Sequence, residues 1–274
     1  MKDKKIAIVA GSLKLPDLVA EDLARQGYDV FFVALKNFYD GLRRPERGLR
    51  PDLTIRLGAL GTAIREFRKR NIKQMVMVGA LGHPNIADIR PDWASIKILA
   101  RIIKNQRGDD SVLKTLISEI ERLGVRVLPA HKLCPDLTFD KGVLTRKRPT
   151  ATDIADIKFG TKVANAIGKL DIGQSVAVRG GVLAVEAAEG TREMLARVAD
   201  IRRGHKKTGG VLVKLVKPGQ TTILDIPAVG VQTIEDAAAA GLNGIAVNSR
   251  ECWAIEKDAI IAAANKRRMF ITAE

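Results

Sequence analysis

Three short apolar runs limit what this chain can fold into. Lys5 to Ala10, Tyr28 to Leu35 and Gln74 to Val78 are apolar nearly throughout, and each is of strand rather than helix length. Helical spacing fills the intervals between them, over Asp17 to Gln26 and Gly61 to Arg70, with Thr54 to Leu57 extended. The first strand reaches its helix through the tight connection Gly11-Ser12, which makes a βαβ unit, and the pattern recurs. After Gly82-His83-Pro84 the spacing predicts helices over Trp93 to Lys104 and Asp110 to Leu123, then a strand over Val125 to Leu128. The first half therefore reads as an α/β domain, doubly wound and Rossmann-like.

Between Ala130 and Thr152 the composition turns to Pro135, Asp136, Lys141, Gly142, the basic run at Arg146 and Pro149, as expected of an interdomain connection. The expected division is a first domain over 1–132, a linker over about 133–149 and a second domain over 150–274. In the second domain the pattern predicts a helix over Ile154 to Gly168, then a hairpin of Gln174 to Val178 with Val182 to Ala187 around Arg179-Gly180-Gly181. A helix from Thr191 to about Ile201 follows, then strands over Val211 to Val216 and Thr222 to Leu224. Next come a capping box at Thr233 to Asp236, a strand within Gly241 to Val247 and a last helix over Lys257 to Lys266. This half is mixed α+β. A chain of 274 residues exceeds one typical domain, so two domains sharing a crevice, with the active site in the cleft between them, are expected.

Composition removes several function classes. Cys134 and Cys252 each stand alone, which excludes a disulfide-stapled scaffold and a structural zinc site. The opening apolar run stops at Gly11, too short for a signal peptide core, and no segment approaches the roughly 20 apolar residues that span a bilayer. A cytoplasmic protein is expected. The net charge of +15, from 46 Lys and Arg against 31 acids, attracts polyanions: nucleic acid, an anionic membrane or a phosphorylated substrate. Aromatic residues supply only 4% of the chain and do not interleave with the basic groups, which makes nucleic acid the weaker choice. An anionic membrane surface needs no apolar anchor, because each nearby Lys or Arg contributes about 1 kcal/mol.

Against this basic background, acids at the ends of apolar runs stand out. One run ends Val185-Glu186-Ala187-Ala188-Glu189-Gly190-Thr191, and another ends Leu224-Asp225-Ile226-Pro227. Glu186 and Glu189 lie an odd number of positions apart, so a continuing strand points them to opposite faces. Glu189, beside Gly190 and a helix start, is the expected site residue, and the alternative is a carboxylate that merely stabilises that helix start. Thr191 is an N-cap or a phosphate ligand. Asp225 closes a β-branched run, with Ile226 held extended before Pro227 and so fixing how the acid is presented, and it reads as a catalytic acid at a crevice or as a turn acid. Lys214, in the preceding strand, is a candidate phosphate ligand. Gly11 and Gly79, each following a strand at one edge, offer backbone N–H groups to a phosphate, although no GxGxxG or Walker motif is present. His83, His131 and His205 show no ligand spacing, and Asp109-Asp110 reads as an acidic helix start.

Several strings taken together, Asp171-Ile172-Gly173-Gln174, Val182 to Ala187 with Glu189-Gly190-Thr191, Arg107-Gly108-Asp109-Asp110, Asp225-Ile226-Pro227 with Gly230-Val231, and Ala240-Gly241-Leu242, resemble the lipid A pathway UDP-2,3-diacylglucosamine pyrophosphatases of the alphaproteobacterial type. The similarity runs nearly end to end. It implies a two-domain, Mg2+-dependent hydrolase that splits a UDP-linked diacyl sugar into UMP and the diacylglucosamine 1-phosphate called lipid X, by attack of water on the phosphorus nearer the sugar. The family's essential aspartate matches Asp225, and its Glu-Gly-Thr segment matches Glu189, Gly190 and Thr191. The family's opening Gly-Gly-Gly turn is replaced by Ala10-Gly11-Ser12. Combined with the residue readings, the expected site has Asp225 as metal ligand or general base, Glu189 as metal ligand or water positioner, Lys214 on a phosphate, and substrate contacts at Gly11, Gly79, Gly190 and Thr191. The expected partners are the lipid-linked UDP-sugar and the anionic inner membrane, to which the protein attaches peripherally; a homodimer stays open. The rival readings are a basic nucleic-acid-binding protein and a nucleotide-dependent reductase.

Overall fold

Strand β1 (Lys5–Ala10) runs through the middle of the first sheet, with Ile6, Ala7, Ile8 and Ala10 fully buried, as its unbroken apolar sequence requires. Around it β2 (Asp29–Leu35), β3 (Leu53–Ile55), β4 (Gln74–Val78) and β5 (Arg126–Val127) complete a five-stranded sheet of order β3-β2-β1-β4-β5, parallel at every pairing. Helices α1 (Leu15–Arg25), α2 (Leu60–Lys69), α3 (Asp109–Arg122) and α4 (Ala130–Leu133) accompany it. Asp109 and Asp110 are the first residues of α3. The computed structural model describes residues 4–12, 14–42, 44, 46, 48–80, 92, 95–96, 109–203, 208–224 and 226–274. Nearly all of the helix expected over 93–104 lies outside these residues.

The chain divides into two compact units, Met1–Cys134 and Pro135–Glu274. In the second unit, β9 (Val211–Lys214), β11 (Gly244–Val247) and β13 (Phe270–Ala273) are parallel and central. The hairpin of β7 (Ser175–Val178) and β8 (Val182–Val185) joins antiparallel on the β9 side, and β6 (Gly142–Val143) pairs antiparallel with β13. The order is β6-β13-β11-β9-β7-β8. One face is covered by α5 (Ala151–Lys169), which packs on β7 and β9 over Val176, Val178, Val211 and Val213. The other face carries the larger core, in which Ala177, Ala184, Leu212, Ile245 and Ile271 meet residues of α6 (Thr191–Arg202), α7 (Val231–Ala239) and α8 (Lys257–Lys266).

Several boundaries differ from the sequence reading. Residues 135–149 belong to the second unit: β6 pairs with β13, the Leu144 N–H donates to the Ile271 carbonyl at 2.9 Å, and the Ile271 N–H donates to Thr145 Oγ1 at 2.9 Å. Helix α5 starts three residues before Ile154 because Thr150 and Asp153 form a capping box. Thr222 to Leu224 is a turn and not a strand. The next strand is β10 (Ala228–Val229), paired in parallel with β12 (Trp253–Ala254), and it begins directly after Pro227, whose missing N–H suits the ladder's end. Thr233 lies inside α7 rather than capping it: the helix begins at Val231, and the Gly230 N–H donates to Thr233 Oγ1.

Candidate active site

The sheet of the second unit lines up a polar row at the carboxyl ends of its parallel strands. Lys214 is the last residue of β9; across the ladder it faces Ser175 on one side and Val247, the last residue of β11, on the other. Val176 pairs with Val185, so Ser175 falls opposite Glu186, whose N–H donates to the Ser175 carbonyl at 2.9 Å. Strand parity puts Glu186, Ser175 and Lys214 on the face of Ala184, Ala177 and Leu212, under α6. Carboxyl ends of parallel strands are where α/β folds collect their ligands.

Helix α6 completes the group. Gly190 is its N-cap with φ at 86°, a conformation that glycine adopts without steric cost, so Thr191 is the first helical residue and not the cap. The Thr191 hydroxyl donates to Glu186 Oε1 at 2.6 Å and accepts from Lys214 Nζ at 2.7 Å. Lys214 Nζ also donates to Ser175 Oγ at 3.4 Å, and the Gln174 N–H donates to Glu186 Oε2 at 3.2 Å. Glu186 is 7% exposed and Lys214 6%, so both charges are desolvated. Burial alone would raise the Glu186 carboxyl. The Lys214 charge, the Thr191 and Ser175 hydroxyls and the Gln174 N–H together hold it below its ordinary value. Burial pushes the neighbouring Cys252 thiol up to about 12 against the pull of Lys214, so this sulfur is no thiolate nucleophile.

The expected residues therefore divide. Lys214, Thr191 and Gly190 come together with Glu186 and Ser175, which the sequence reading passed over. Glu189 does not join them: its exposed carboxylate is held by Arg197, an ion pair between partly exposed side chains. The parity rule was sound, but it does not say which face of β8 carries the site. The alternation Ala184, Glu186 against Leu212, Lys214 was the available signal. Asp225 lies outside the described residues, in the segment that follows β9, as do His83 and His205. Burial pushes His131 down to about 4, which keeps it neutral near pH 7. In the first unit Gly11 and Gly79 do meet, but against each other. The Gly11 N–H donates to the Val78 carbonyl and the Ser12 N–H to the Ala80 carbonyl, each at 2.8 Å, and a Cβ on Gly11 would lie 2.7 Å from the Ala80 oxygen. Those two N–H groups are thus spent on backbone rather than offered to a phosphate. An open pocket of about 550 Å³ at the ends of β2 and β3 is lined by Lys36, Tyr39, Thr54 and Arg56.

The fold is α/β, and its second unit sets a desolvated ammonium beside a helix amino terminus at the carboxyl edge of parallel strands, an arrangement that can hold an oxyanion. The LpxI N-terminal domain family matches residues 5–137 and the LpxI C-terminal domain family residues 140–272. The UDP-2,3-diacylglucosamine pyrophosphatase LpxI of Caulobacter vibrioides is 34% identical, with 98% of this chain and 96% of that protein covered. The chain belongs to the LpxI family. Among solved structures, the radical S-adenosylmethionine methyltransferase TsrM of Kitasatospora setae has a TM-score of 0.20 at 11% identity, over 98% of this chain and 66% of that one, too slight a likeness to bear on the fold.

Proposed function

We propose that this chain hydrolyses the pyrophosphate bond of UDP-2,3-diacylglucosamine in lipid A biosynthesis, releasing UMP and 2,3-diacylglucosamine 1-phosphate. Family membership supports the reaction, and the buried Lys214 ammonium is the observation that supports a location for it in the second unit. Among the described residues two of its three N–H donors are directed at Thr191 and Ser175, and in this reading the third serves a substrate oxygen. Beside it the first-turn N–H groups of α6, which have no acceptor within the helix, add partial positive charge. A diphosphate ester repels a water nucleophile, and these donors lower that repulsion and stabilise charge that grows on the phosphoryl oxygens in the transition state. Water attacks the phosphorus nearer the sugar, the bond from that phosphorus to the bridging oxygen breaks, UMP leaves with the bridging oxygen, and Asp225 accepts the proton from water.

Among the described residues no three acids, histidines or cysteines gather to hold a metal. Mg2+ needs only one or two carboxylates, with water and substrate phosphates supplying the remaining oxygens; in this reading Asp225 and Glu189 would hold it, Glu189 giving up its ion pair with Arg197. When bound, the ion neutralises charge on the diphosphate. The first unit, whose strand order β3-β2-β1-β4-β5 is that of five of the six strands of a doubly wound Rossmann-like sheet, takes the nucleotide in this reading. Among the described residues no helix is long and apolar enough to cross a membrane, and the charge of +15 supports peripheral attachment to an anionic inner-membrane surface. Replacing Asp225 by Ala should abolish UMP release while leaving the lipid substrate bound; near-normal turnover in that variant would overturn the assignment.

A further inference from the structure

Glu186 presents a problem that the proposed reaction does not solve. A carboxylate 7% exposed is costly to bury, and the usual remedy is a direct ion pair. Among the described residues no cation lies within ion-pair distance of it; Lys214, the charge that acts on it most, reaches it through hydroxyls, by short bonds through Thr191 and more distantly through Ser175.

The intervening hydroxyl fixes the direction of every bond. A hydroxyl carries one proton, and Thr191 gives that proton to Glu186 Oε1 at 2.6 Å. It can therefore only accept from Lys214, which donates at 2.7 Å. Two consequences follow. The Thr191 side chain has no proton left for a substrate oxygen, so its contact with a phosphate is limited to its backbone N–H. Lys214, for its part, keeps an ammonium hydrogen that a direct salt bridge would have drawn towards the carboxylate, while a compensating negative charge sits one residue away. The Gln174 N–H holds the other carboxylate oxygen, so Glu186 is clamped at both ends.

We infer that Glu186 is a positioning residue for this reaction: through the Thr191 hydroxyl it aims the Lys214 ammonium at the substrate phosphoryl oxygen and balances its charge without occupying it. The inference rests on the assignment of Lys214 to the substrate diphosphate, and a double-mutant cycle separates the two. UMP release from UDP-2,3-diacylglucosamine is measured for E186A, K214A and E186A/K214A, with thermal unfolding of each variant recorded alongside. Both single variants should lose roughly a hundredfold or more in kcat/KM. The double variant should match K214A within about twofold, because Glu186 has nothing left to act through. E186Q, which keeps an acceptor for the Thr191 hydroxyl, should retain more activity than E186A. A structural role would give additive losses instead, and equal effects of E186A in the two backgrounds would overturn the inference alone. Undiminished turnover by K214A would overturn the Lys214 anchor and the inference with it. Should E186A fail to accumulate folded, T191V breaks the same relay with both charges in place, and the same cycle with K214A decides.

Discussion

Glu186 and Glu189 show how much one residue's surroundings decide. Glu186 is buried and gives its oxygens to Thr191 and Gln174, whereas Glu189 is exposed and tied to Arg197. An ion pair as exposed as Glu189 with Arg197 contributes at most about 1 kcal/mol to stability, so its purpose is better sought in chemistry. If Glu189 is one of two carboxylates that hold Mg2+, E189A should raise the Mg2+ concentration for half-maximal rate by roughly tenfold or more, with unfolding nearly unchanged; a metal titration of UMP release measures it, and an unaltered Mg2+ requirement removes Glu189 from the metal set. The sequence carried Lys214, Gly190 and Thr191 into the site because a strand end and a glycine before a helix are local signals. It did not single out Glu186 as the partner of Lys214 and Thr191, because choosing a face of β8 requires the register of β8 on β7 and of β7 on β9, which pairs residues up to 39 positions apart.

Elements were legible in proportion to their punctuation. Strands β1, β2 and β4 are uninterrupted apolar runs ending at turns, and the sequence predicted all three. Strand β13 escaped notice because α8 ends without a glycine: Arg268 takes the left-handed conformation itself, at φ 53°, and no sequence signal marks the break before Phe270. Thr222 to Leu224 has a strand-like composition, yet it forms a turn between β9 and β10. Helix α6 depends on the reverse case, a glycine that is required. Alanine at Gly190 must adopt φ 86° or shift the first turn that carries Thr191, so G190A should cost about 1–2 kcal/mol in chemical denaturation and weaken turnover beyond what that loss explains. Wild-type stability and activity in G190A would mean that the turn has room to relax.

At the scale of the molecule, two units each bring a sheet and a core of their own, divided between Cys134 and Pro135; the sequence reading put a linker there, over about 133–149. It assigned 135–149 to a linker because β6 pairs with a strand about 130 positions later, a contact that composition does not announce. In the second unit one ammonium is held under a helix start by a carboxylate it does not touch. On this account the substrate diphosphate binds at the carboxyl edge of that sheet, and its hydrolysis follows from where it is held. The most direct test is the structure of the D225A protein with UDP-2,3-diacylglucosamine and Mg2+. A phosphoryl oxygen within hydrogen-bond distance of Lys214 Nζ and of the N–H groups that open α6 is the result predicted; a diphosphate bound elsewhere, with Lys214 touching only Thr191 and Ser175, would contradict it.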